Sequence, residues 1–85
     1  MSNKLEILKK KLIYRASYRG TKEMDIFLSS FVNKYINEFD EGYLKELEIF
    51  LNFEDEIILN YYQNNIIDNN IDKNSVAKLF KNFKI

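Results

Sequence analysis

The sequence predicts an all-α protein, a small bundle of five short helices, on three observations. Apolar residues recur at intervals of three and four along almost the whole chain, the period that lines up one face of a helix. Proline is absent, so no helix is forced to break. No stretch of useful length alternates apolar with polar residues, and no internal repeat is present. Eighty-five residues are then expected to form one domain, 1–85, with a single modest core. The thirteen Phe and Tyr residues and an apolar fraction of 46% are enough to fill that core.

The elements follow in order. Leu5, Leu8, Leu12 and Ala16 form the stripe of a first helix, with Ile13 beside it. Met24, Phe27, Leu28, Phe31 and Tyr35 follow the same spacing in a second. Asp40 is placed to cap a third, whose face holds Tyr43, Leu44, Leu47, Phe50 and Leu51. A shorter fourth helix is expected from Glu54 to Gln63, with its acids in the first turn, where the helix dipole favours them. Asn64 to Asn74 is rich in Asn and Asp, has no clear period, and reads as a loop. A last helix, capped by Asn74 or Ser75, puts Val76, Leu79, Phe80 and Phe83 on one face. Lys78, Lys81 and Lys84 lie elsewhere around it, near the end where cations are favoured.

Composition excludes several kinds of chemistry. With neither cysteine nor histidine, the chain has no disulfide, no thiolate nucleophile, no soft metal site and no imidazole proton shuttle. No apolar run approaches the roughly 20 residues of a membrane span, and the start, Met1 to Glu6, carries no hydrophobic signal segment. A cytoplasmic location is the expectation. Net charge is zero, but residues 1–22 carry seven basic groups against Glu6 alone, and residues 23–72 carry twelve acids against Lys34 and Lys45. Such asymmetry suits the steering of a charged partner.

Only two of the thirteen basic residues are arginine, and they stand four apart, at Arg15 and Arg19. One of the two glycines, Gly20, follows at once, and then come Glu23 and Asp25. Arginine presents a planar fork of donors that lysine cannot copy. Gly20 can end a helix with positive φ, and it leaves room for close approach. Thr21 is a suitable cap for the helix after it. The plain alternative is a helix–turn–helix corner in which Arg19 and Glu23 form a surface ion pair worth at most about 1 kcal/mol.

Arg19-Gly20-Thr21-Lys22-Glu23-Met24-Asp25, preceded by Tyr14-Arg15, resembles the Arg-Gly-x-x-Glu-x-Asp signature of the small helical FAD assembly factors of succinate dehydrogenase, the SdhE family of bacteria and its mitochondrial counterparts. The resemblance extends through a basic first helix, the signature corner, a Phe-rich second helix and a Leu/Phe third. Further on the chain departs from it: Asp55 to Tyr61 has no proline, and Tyr61 stands where tryptophan is common in the family. The resemblance implies an assembly factor or chaperone that binds the flavoprotein subunit of succinate dehydrogenase or fumarate reductase. It also implies that the factor promotes covalent attachment of FAD through a partner histidine to the 8α carbon of the flavin. This chain is expected to bind no cofactor itself, because two separated glycines cannot build a dinucleotide loop and there is no βαβ unit. Partner contact is then expected from Arg15, Tyr18, Arg19, Gly20 and Glu23, with Asp25 bracing the corner.

Other functions are weaker readings. Nucleic-acid binding through Lys9, Lys10, Lys11, Arg15 and Arg19 lacks the overall basic excess of such domains. An enzyme acting alone has no facing carboxylate pair, since Glu23 and Asp25 are two apart and diverge on a helix. An antitoxin-like or other regulatory binding module is the remaining alternative.

Overall fold

The computed structural model describes residues 4–84; Met1 to Asn3 and Ile85, part of the expected domain, lie outside the described residues. Within them run α1 (Lys4–Ser17), α2 (Lys22–Tyr35), α3 (Glu41–Leu51), α4 (Asp55–Asn64), a single 3₁₀ turn (Ile71–Lys73) and α5 (Ser75–Lys81). Among the described residues there is no strand. The helices begin where local chemistry dictates. Thr21, Asp40 and Asn74 are extended residues whose side chains accept a hydrogen bond from Met24, Tyr43 and Ala77 N–H, each satisfying a donor that the first turn leaves unpaired. Glu54 precedes α4 without a side-chain cap.

Helix α1 packs on α2 and α3, α3 packs on α5, and α4 closes against α5. Phe31 is fully buried at the centre, with ring centroids 5.1 Å from Phe80, 5.3 Å from Phe83 and 6.4 Å from Phe50. Leu12, Leu28, Val32, Leu44, Leu47 and Ile58 surround this aromatic cluster. The stripes are narrower than the periodicity suggests. Leu5 is 41% and Tyr43 43% exposed, because Leu5 lies in the first turn of α1 and Tyr43 in the first turn of α3.

The Asn-rich stretch departs from a plain loop. Asn64 still belongs to α4, and Ile71 to Lys73 form the 3₁₀ turn with Ile71 fully buried. Asn65, Asn69 and Asn70 take positive φ, a conformation that asparagine tolerates better than other residues with a side chain. These turns deliver Ile71 to the core as an anchor between α4 and α5. Beyond it, Asn74 is a buried polar residue whose side chain accepts from Ala77 N–H at 2.8 Å and donates to the Glu46 carbonyl at 2.9 Å. Asn74→Ala removes both bonds and is expected to cost about 1–3 kcal/mol, read as a lower urea midpoint at unchanged slope.

Candidate functional site

Helix α1 ends at Ser17 and α2 starts at Lys22, so residues 18–21 make the whole corner. Gly20 sits at φ +120°, which side-chain-bearing residues rarely adopt, and a Cβ built there meets nothing within 4 Å. Backbone conformation therefore demands glycine, and the space above it is open. The corner is fixed from within. The Thr21 hydroxyl accepts from Met24 N–H at 3.3 Å, and the Asp25 carboxylate accepts from the backbone N–H of Arg19.

The Arg19 side chain turns inward and is only 11% exposed. Its Nε donates to Asp55 Oδ1 at 2.8 Å, Nη1 to the Leu51 carbonyl at 2.6 Å, and Nη2 to the Phe53 carbonyl at 2.7 Å. Leu51 is the last residue of α3, so the guanidinium caps a carbonyl that the helix end leaves unpaired, at the negative pole of its dipole, and also reaches the Phe53 carbonyl in the turn beyond the C-cap Asn52. One planar fork serves two carbonyls and a carboxylate, which an ammonium cannot do in this geometry. Arg15 reaches the same place and donates through Nη2 to the side chain of Asn52, the C-cap of α3. Both arginines thus fasten the α1–α2 corner to the α3–α4 turn. The ion pair that Arg19 forms is with Asp55 and not with Glu23, because Arg19 lies beyond the end of α1 and its side chain points at α3.

The outward side of the corner is different in kind. Tyr18 is 69% exposed and lies against Tyr14, with ring centroids 4.6 Å apart. Gly20, Thr21 and Glu23 are exposed, while Arg15 and Asp25 are half-buried. The residues expected at a partner surface therefore divide into two groups. Tyr18, Gly20 and Glu23 face out, whereas Arg19 and Asp25 hold the corner in shape. The acceptors Asp55 and Asn52 carry no local sequence signal, since they lie 36 and 37 residues from their arginines.

Among the five basic groups considered for phosphate contact, Arg15 and Arg19 are engaged with the α3–α4 turn. Lys9 pairs with Glu6 at 3.8 Å and reaches Asn37 at 3.5 Å. Among the described residues no cluster of acidic side chains could hold a metal ion, and no helix is long and apolar enough to cross a membrane.

Residues 10–84 match the model of a protein family described as the flavinator of succinate dehydrogenase. A protein of Scheffersomyces stipitis named succinate dehydrogenase assembly factor 2, mitochondrial, is 43% identical over 51 residues, which cover 60% of this chain and 34% of that protein. The protein of the same name from Schizosaccharomyces japonicus is 35% identical over 54 residues, 64% of this chain and 38% of its own length. The similarity thus spans little more than a third of the curated relatives it matches.

Proposed function

The chain belongs to the family of flavinators of succinate dehydrogenase, and on that premise we propose that it binds the flavoprotein subunit of succinate dehydrogenase, or of fumarate reductase, and promotes covalent attachment of FAD to that partner. Residues 1–85 act in this reading as one SdhE-like domain, a non-catalytic chaperone working in the cytoplasm; the relatives are named as mitochondrial proteins. The observation that supports it best is the open backbone above Gly20, set on a corner held rigid by Arg19 and Asp25. A rigid, glycine-floored corner lets a partner backbone approach closely without ordering flexible groups on binding. Tyr18 supplies aromatic contact area beside it, and Glu23 an exposed carboxylate. Arg15 retains donors beyond the one given to Asn52. The contribution of this chain is positioning: it holds the flavoprotein so that flavin and acceptor histidine meet in reactive geometry, and the bond is made within the partner. FAD and its histidine belong to the flavoprotein in this scheme.

The test is co-expression with the flavoprotein subunit, read by co-purification and by in-gel flavin fluorescence with and without this chain. Two variants separate contact from strain. Gly20→Ala adds a methyl group to open space and is expected to cost about 1–2 kcal/mol through positive φ alone. Gly20→Arg shares that strain and adds a bulky cation, and should lower covalent flavin more than about tenfold below the alanine variant. Equal flavinylation by the two variants, both folded, would remove Gly20 from the contact.

A further inference from the structure

The outer side of α1 carries three large apolar side chains that the core does not use. Ile7 is 63%, Tyr14 65% and Tyr18 69% exposed. Ile7 and Tyr14 are seven apart and fall on one line along the helix, on the side opposite the fully buried Leu12 and Ala16. Tyr18, just past the helix end, is kept on that line by its ring contact with Tyr14. Lys10 and Lys11 are exposed on either side of the line, and neither enters an ion pair among the described residues.

The core is built on the inner stripe of α1, and the outer ridge lies outside the buried cluster. Two tyrosines in contact present a broad surface with little rotamer freedom to lose, as at the energetic centres of protein interfaces. The ridge also runs directly into the Gly20 corner, since Tyr18 is two residues from that glycine. Its charge selects among occupants. Across a twofold axis with a second copy, the lysines would meet lysines. With Arg19 turned inward to Asp55 and a net charge of zero over the whole chain, the basic excess that a polyphosphate backbone needs is lacking. An apolar protein patch with an acidic rim fits both the ridge and its flanks.

We propose that the Ile7–Tyr14–Tyr18 ridge is the second half of the docking surface for the flavoprotein, seated on an apolar patch whose acidic rim pairs with Lys10 and Lys11. This rests on the reading of the Gly20 corner as the flavoprotein contact. The basic excess of residues 1–22, seven basic groups against Glu6, favours the approach of an acidic rim to α1, so the charge asymmetry speeds the encounter.

Binding to the recombinant apo-flavoprotein subunit, measured by interferometry at about 50 and about 300 mM salt, tests the proposal. Ile7→Ser with Tyr14→Ser should weaken binding about tenfold or more at both salt concentrations. Lys10→Glu with Lys11→Glu should weaken it about tenfold at low salt, mainly through the association rate, and flatten the salt dependence. All four positions are exposed, so thermal midpoints should stay near wild type. Ridge variants that bind like wild type while Gly20→Arg does not would sink the ridge and leave the corner standing. A wild-type chain that fails to bind the flavoprotein overturns both. If ridge variants keep flavoprotein binding and lose only self-association, or sedimentation with phosphatidylglycerol vesicles, the ridge faces a second copy or an anionic bilayer and the proposal fails.

Discussion

Arg19→Ala is expected to lower the stability of the folded chain by about 2–4 kcal/mol, seen as a lower urea midpoint at unchanged slope. Three acceptors lose their donor at once: the Asp55 carboxylate and the carbonyls of Leu51 and Phe53. Breaking a fully buried charged pair by removing one partner costs about 3–5 kcal/mol, and water lowers that here because the Asp55 side chain is 25% exposed. Arg19→Lys keeps a cation near Asp55 but cannot serve both carbonyls, and should recover about half of the loss. In a domain whose total stability is about 5–15 kcal/mol, the alanine variant will be partly unfolded when warm. Its flavinylation should therefore return on cooling, whereas the deficit of Gly20→Arg, arising from contact, should not. A stability loss below about 1 kcal/mol would mean that the guanidinium faces solvent and is free for a partner.

Phe31→Ala should be still more damaging, at about 3–5 kcal/mol, because it empties the centre of the only aromatic cluster that links α2, α3 and α5 among the described residues. Each lost ring pair adds about 0.5–1.5 kcal/mol beyond the lost area, so the variant is expected to populate its unfolded state at room temperature. Phe31→Leu refills most of the volume and should cost about 1–2 kcal/mol, which keeps the measurement within range. Phe39 provides the contrast. It is half-buried and stacked on Tyr35 and Tyr43 at the edge of the bundle, so Phe39→Ala should cost only about 1–2 kcal/mol. Equal midpoints for Phe31→Ala and Phe39→Ala would contradict the placement of the core.

The helices were legible because their signals are local. Period and cap lie within one element: Thr21 bonds Met24 and Asp40 bonds Tyr43, each three residues on, and both could be placed without knowing the fold. Ile71 was not legible, since Ile66, Ile67 and Ile71 stand among Asn and Asp without a clear period, and only Ile71 of the three is buried. Its burial depends on backbone reversals at Asn69 and Asn70 and on α4 and α5 being near. A run of asparagines does hint at positive φ, and that hint marks turns without saying what they deliver.

The corner shows the same division. Local patterns in the sequence were enough for the five helices of the described residues, the glycine-centred turn after α1 and a resemblance to the family whose model matches residues 10–84. Tertiary structure decided that the two arginines, equivalent in sequence as scarce cations, contact the end of α3 and stop short of lining one exposed helix face. The physical reason is distance along the chain. A hydrogen bond within a turn is encoded by neighbours, but the carbonyls left open at a helix end accept whichever donor the packing of another helix brings to them. Here that donor comes from 32 residues earlier in the chain.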